Sequence, residues 1–157
     1  MHEELLDLAR TVGAEAAALL MDRPPAFEIE EKSTAIDIVT QMDKKAETFI
    51  VQSILAVRPD DGMIGEEGAY IESKSGITWV IDPLDGTAQY ATGGDDFAVH
   101  IALWQANSEL AGKITAASVS VPARKELWSM DEPVQRYQPQ GNPIRILVSR
   151  SRPPKEL

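Results

Sequence analysis

The 157-residue sequence contains no cysteine. Disulfide bonds, thiol nucleophiles and thiolate metal sites are therefore excluded, and we expect the reducing cytoplasm as the compartment. Basic residues are also few, with 15 Lys and Arg against 25 Asp and Glu and a formal net charge of -10. Such a surface repels nucleic acid and anionic membranes, so neither is expected as a partner. A small anionic substrate fits this charge only if cations mediate its binding.

Long apolar runs are absent as well. No stretch approaches the roughly 18 consecutive apolar residues of a membrane span. The start of the chain, MHEELLDLAR, lacks the basic region and apolar core of a signal peptide. We therefore expect a soluble protein, and the length suits one globular domain.

Two amphipathic helices are predicted in the first 59 residues. Apolar side chains recur at helical spacing over residues 4–21, and two prolines follow at 24 and 25. A second helix is predicted over about residues 43–57, with Thr40 as its N-cap and Pro59 beyond its end. Its predicted inner stripe comprises Ala46, Phe49, Ile50, Ser53, Ile54 and Val57.

From residue 60 onward, the pattern changes to that of β-strands. Strands are predicted in the segments GMIG, ITWVI, FAVHIALW, ITAASVSV, KELWSM and IRILVS, the last at residues 144–149. Helices come first and strands follow, without βαβ alternation. This order predicts an α+β fold in which an N-terminal helix pair packs on a largely antiparallel β-sheet.

Acidic residues follow two of these apolar segments. Glu66 comes directly after GMIG, and Asp82 and Asp85 follow WVI with Pro83 between them. Pro83 restricts the backbone of Asp82, so the two aspartates are rigidly displayed where sites are commonly assembled. Taken alone, Asp-Pro-x-Asp-Gly is more often a turn than a metal site, and paired glutamates more often solvate a loop.

The residues after Asp85 are suited to phosphate. Gly86 lets the backbone approach a ligand, and a helix starting here would present the amides of Gly86, Thr87 and Ala88 to an anion. Carboxylates beside an anion need cations between them, and an all-oxygen set without cysteine or paired histidine suits Mg²⁺ rather than Zn²⁺. His100 has no second histidine nearby, so we predict a packed or hydrogen-bonded strand residue rather than a ligand.

Three motifs, taken in order, resemble the inositol monophosphatase family: DIVTQMD at 37–43, GEEG at 65–68 and WVIDPLDGTAQY at 79–90. Its members are Mg²⁺-dependent, lithium-sensitive phosphomonoesterases. The resemblance implies a layered αβαβα sandwich, of which residues 1–157 form the N-terminal metal-binding domain, with the helix pair in 1–59 and the sheet in 60–150. The C-terminal domain, and the Trp-Asp motif expected in it, would be missing. A homodimer is also implied.

The resemblance further implies the roles of individual residues. Glu66, Asp82, the carbonyl of Leu84 and Asp85 would bind two or three Mg²⁺ ions. The catalytic residues would be Glu66 together with Asp43 and Thr87, a hydrogen-bonded pair that orients the attacking water. The substrate-binding residues would be Gly86 and Thr87, which offer amides to the phosphate, together with Ala88 and with Lys32 near the mouth of the site.

The implied function is hydrolysis of a small phosphorylated metabolite by metal-activated water, with inositol monophosphate favoured as substrate. Ala88 and Gln89 stand where relatives more often carry Thr-Asn or Lys-Glu, which leaves the substrate open. The first alternative is a 3'(2'),5'-bisphosphate nucleotidase acting on 3'-phosphoadenosine 5'-phosphate. The others are a non-catalytic metal- or anion-binding remnant and a structural α+β domain whose acids only solvate it.

Overall fold

A computed structural model describes residues 2–31, 38–106 and 112–132. The elements in chain order are helix α1 (His2–Met21), strands β1 (Ile29–Glu31) and β2 (Ile38–Thr40), helix α2 (Gln41–Val57), strands β3 (Gly62–Gly65), β4 (Tyr70–Ile71) and β5 (Ile77–Asp85), helix α3 (Thr87–Ala91), and strands β6 (Ala98–Gln105), β7 (Lys113–Val121) and β8 (Glu126–Ser129). Within these ranges, no helix combines the length and apolar character needed to cross a membrane. The strand predicted at 144–149 lies outside the described residues.

Helix α1 packs its apolar side on the sheet and on helix α2. Two glutamates in its first turn interact favourably with the positive end of the helix dipole. Two prolines follow shortly after its last residue. Gly13 faces strand β7, because a Cβ there would lie only 3.2 Å from Oγ of Ser120. The predicted helix is confirmed by its buried stripe, Leu5, Ala9, Val12, Ala16 and Leu20.

Helix α2 starts at a capping box, in which the N-cap and the third helical residue satisfy each other's backbone N–H. Thr40 Oγ1 accepts from the Met42 amide at 3.1 Å, and Oδ2 of Asp43 accepts from the Thr40 amide at 2.8 Å. The predicted N-cap is confirmed. One member of the predicted inner stripe is wrong: Val57 is exposed, because it is the last residue of the helix and the buried stripe ends one turn earlier at Ile54.

Six strands form the main sheet in the order β4-β3-β5-β6-β7-β8. β3 and β5 are parallel neighbours, and all other pairs in this sheet are antiparallel. β1 and β2 form a separate antiparallel pair. The β3–β5 pair matters for function, because it brings the ends of two acid-bearing segments to the same edge.

The two faces of the sheet differ in burial. The face toward α1 and α2 carries fully buried side chains such as Met63, Trp79, Ile81, Ile101 and Leu103. The opposite face exposes apolar side chains on neighbouring strands, among them Ile64, Val80, Trp104 and Ile114. The predicted α+β fold, with helices on a largely antiparallel sheet, is confirmed.

Candidate metal and phosphate site

Glu66 and Asp82 are brought together by the parallel pairing of β3 and β5. Gly65 is the register partner of Ile81, and the Glu66 amide donates to the Ile81 carbonyl at 3.1 Å. The carboxyl groups of Glu66 and Asp82 are close enough for Glu66 to raise the pKa of Asp82. Both residues line an open cavity of about 390 Å³ on the face of the sheet that points away from the helices.

The environment of Asp82 disfavours its negative charge. Burial, the hydrogen bond and charge of Glu66 and the charge of Asp85 together raise the pKa of Asp82 to about 7, although the Leu84 amide, which donates to Asp82 Oδ1 at 3.2 Å, lowers it. Two carboxylates in contact are stabilised by a bound cation. The donor set is made of oxygen atoms only and therefore fits Mg²⁺, which prefers carboxylate ligands.

Asp85 is the last residue of β5, close to Asp82, but its side chain points toward strand β6. Its Oδ2 lies 3.7 Å from Nε2 of His100, and both side chains are well exposed. His100 is the register partner of Asp82 and lines the same cavity. Among the described residues, no three His, Asp or Glu side chains are already grouped as a metal cage. Two of the three predicted acidic ligands are thus in contact, and the third lies beside them.

Asp43 and Thr87 form the hydrogen-bonded pair that the motifs predict. Thr87 Oγ1 lies 2.8 Å from Asp43 Oδ1 and 3.0 Å from the Leu84 carbonyl, whereas Asp43 Oδ2 accepts from Thr40 Oγ1 at 2.6 Å. Asp43 is buried. Both of its oxygens therefore have partners, and it joins the start of α2 to the junction between β5 and α3.

Gly86 makes the sharp turn between β5 and α3. Its φ of 88° is in the left-handed region, and a Cβ there would lie 2.6 Å from the Asp96 carbonyl. Helix α3 begins at Thr87, directly after Gly86, and includes Ala88 in its first turn. Lys32 lies outside the described residues.

Two functional candidates were missed from the sequence. His100 faces the cavity, and its placement depends on the β5–β6 register, in which it lies opposite Asp82. Glu47 is buried in α2 and accepts two backbone amides from the segment that carries Glu66. The spacing of four residues from Asp43 to Glu47, which puts both on one helix face, was a signal that could have found Glu47.

The chain is similar to a known family over most of its length. The model of the Inositol monophosphatase family matches residues 1–147. A 3'-phosphoadenosine 5'-phosphate phosphatase from Mycobacterium bovis is 40% identical over 121 residues, which is 73% of this chain and 45% of that protein. An inositol-1-monophosphatase from Rhizobium meliloti is 40% identical over 96 residues, which is 60% of this chain and 34% of that protein.

A solved structure supports the same relationship. The IMPase of Thermotoga maritima superposes with a TM-score of 0.71 and 30% identity, covering 94% of this chain and 55% of that one. The chain spans about half the length of these relatives or less.

Proposed function

This chain belongs to the inositol monophosphatase family, and we propose that its protein is a Mg²⁺-dependent phosphomonoesterase acting on a small phosphorylated metabolite. The observation that carries the proposal is the contact between Glu66 and Asp82 at the adjacent ends of β3 and β5, with the pKa of Asp82 raised by burial and by that contact. A bound divalent cation would neutralise the charge of such a pair, and the cation would in turn attract a phosphate group.

Separate residues of the chain would bind the metal ions, the attacking water and the phosphate. Glu66, Asp82, Asp85 and the Leu84 carbonyl would hold two or three Mg²⁺ ions. When bound, these ions supply neutralisation of the phosphate charge and activation of a water molecule.

Asp43 and Thr87 would fix the position of the attacking water. Asp43 holds the hydroxyl of Thr87 at 2.8 Å, so that this side chain has one defined orientation. The amides of Gly86 and Ala88 would face the phosphate, because Gly86 leaves the backbone uncovered. Lys32 completes the proposed substrate set at the mouth.

Two substrates follow from different observations. The GEEG and DIVTQMD motifs support inositol monophosphate. The 121-residue match to the M. bovis protein, which extends further along this chain than the 96-residue match to the R. meliloti one, supports 3'-phosphoadenosine 5'-phosphate. The two compounds share a phosphate monoester on a ring carbon that lies next to a hydroxyl-bearing carbon.

The test is phosphate release from each compound with Mg²⁺ present, with Mg²⁺ removed by chelation and with Li⁺ added. We expect release only with Mg²⁺, inhibition by Li⁺, and a loss of roughly 100-fold or more in Asp82→Asn. Release that persists without divalent cations, or an unaffected Asp82→Asn, would refute the assignment. Inactivity on both compounds while Mg²⁺ still binds would favour the non-catalytic remnant.

We also infer a cytoplasmic homodimer. The absence of cysteine supports the first part, and family resemblance supports the second. Light scattering of the purified protein checks the dimer, because a mass of one chain at micromolar concentration would contradict it. Fractionation of cells that express it checks the compartment.

A further inference from the structure

Glu47 is a buried acid whose partners are backbone amides of a distant segment. Its carboxylate spans that segment: Oε2 accepts from the Glu67 amide at 2.8 Å, and Oε1 accepts from the Ala69 amide at 2.9 Å. Only 6% of the residue is exposed. Both oxygens of a buried carboxylate are thus used by one turn, which makes the contact strong and directional.

Glu47 accepts hydrogen bonds from the turn of residues 65–69, which joins β3 to β4. We call this segment the Glu66 turn. The turn is closed by the Gly65 amide, which donates to the Ala69 carbonyl at 2.8 Å. On its other side, the Glu66 amide donates to the Ile81 carbonyl at 3.1 Å, one residue before Asp82. A Cβ at position 65 would overlap the Glu47 carboxylate, so glycine is needed there for the approach.

We propose that Glu47 is a positioning residue, which fixes the Glu66 turn to helix α2 and so sets the distance between the carboxylates of Glu66 and Asp82. Asp43, one helical turn earlier, fixes Thr87 in the same way. A single rigid helix thereby holds both walls of the site, the Glu66 turn and the β5–α3 junction. This inference rests on the proposed metal site.

The position of Glu66 governs metal binding, because Mg²⁺ demands a nearly ideal geometry from its oxygen ligands. Groups that orient a ligand without touching the ion typically change metal affinity by about 10- to 100-fold when they are replaced. In Glu47→Gln the side chain keeps its size but has one oxygen and one NH₂ group. One of the two turn amides, Glu67 or Ala69, then meets the NH₂ group and loses its hydrogen bond. The turn is no longer fixed to α2 at that residue.

The experiment compares two variants that each disturb a buried, multiply hydrogen-bonded acid. Glu47→Gln disturbs the Glu66 turn. The matched control is Asp61→Asn, because Asp61 is equally enclosed and accepts from Arg58, Ser75 and Trp79 Nε1, away from the cavity. Mn²⁺ affinity by electron paramagnetic resonance, urea unfolding and the amide proton shifts of Glu67 and Ala69 are measured for both and for the unaltered chain.

We expect both variants to unfold at lower urea concentration, but only Glu47→Gln to weaken Mn²⁺ binding, by about 10- to 100-fold. It should also move the Glu67 or Ala69 amide proton upfield. Folded Glu47→Gln with unchanged Mn²⁺ affinity, or equal weakening in Asp61→Asn, would overturn the positioning role. No Mn²⁺ binding by the unaltered chain would instead overturn the metal site itself, and this inference with it.

Discussion

The hydroxyl of Thr87 lies 2.8 Å from Oδ1 of Asp43, across 44 residues of sequence. Asp43 is 1% exposed, and its other oxygen already accepts from the Thr40 amide and hydroxyl. The capping box of α2 is therefore also part of the candidate site. Stability of the helix start and placement of the β5–α3 junction depend on the same carboxylate.

Replacing Thr87 by valine tests this link. Valine keeps the shape but removes the donor, and leaving Oδ1 of the buried Asp43 unsatisfied should lower the free energy of unfolding by about 1–3 kcal/mol. Phosphate release should fall by at least roughly 10-fold. Thr87→Ser, which retains the hydroxyl, is the control and should keep most of both properties; equal losses in the two variants would argue against the hydrogen bond as the cause.

The raised pKa of Asp82 predicts how stability depends on pH. Its pKa is about 7 in the folded chain against an ordinary value of 3.8 for aspartate, so the folded state binds more protons between these values. Stability of the metal-free protein should therefore fall as pH rises from about 4 to about 7. Saturating Mg²⁺ should remove the fall at neutral pH, because the cation stabilises the carboxylate.

Urea unfolding at several pH values, with EDTA or with Mg²⁺, measures this dependence. Asp82→Asn is the control and should flatten the metal-free profile between about pH 4 and 7. Solvent at the open cavity screens the charges, so we expect a change of only about 1–2 kcal/mol. A metal-free profile that rises across this interval, in the protein and the variant alike, would contradict the account.

The turn at Gly86 gives a prediction about backbone strain. Gly86→Ala places a Cβ 2.6 Å from the Asp96 carbonyl at a φ of 88°. Gly76→Ala meets a similar φ of 82° with nothing within 4 Å of its Cβ, so it isolates the conformational part. Thermal unfolding should show a loss of about 1 kcal/mol for Gly76→Ala and a loss larger by at least about 1 kcal/mol for Gly86→Ala. Equal losses would mean that the chain relaxes around position 86.

The close approach of Gly65 to Glu47 predicts a non-additive pair. Gly65→Ala should destabilise the chain by about 1–3 kcal/mol, because the new methyl group displaces the Glu47 carboxylate. In a Glu47→Ala background only the Ala69 Cβ, 3.0 Å from the new methyl group, remains close, so the same change should cost clearly less. Additive effects in a urea double-mutant cycle would show that the crowding at position 65 has another origin.

Much of the fold was predictable because it depends on local sequence patterns. The stripe of α1, the Thr40 cap of α2 and the apolar strands all depend on neighbours in sequence. The contact of Glu66 with Asp82 was foreseen only through the motifs, since it depends on the parallel pairing of β3 with β5. The exposure of Val57 was missed because helical spacing alone does not show at which residue the packing of a helix ends.

The two residues missed at the site were missed for the same physical reason. His100 faces the cavity because of its register opposite Asp82, and strand alternation alone does not reveal the partner strand. Glu47 lies in a charged stretch, DKKAE, where an acid is ordinarily solvent-exposed. Its burial follows from the turn amides that it accepts, and these come from another part of the chain.

In the proposed site, Glu66 and Asp82 together hold a divalent cation. Crystals grown with Mn²⁺ and measured at its absorption edge test this claim directly. We predict an anomalous peak in contact with both carboxylates, absent from crystals of Asp82→Asn. A fully ordered map in which the two side chains still touch each other, with no peak beside them at saturating Mn²⁺, would contradict it.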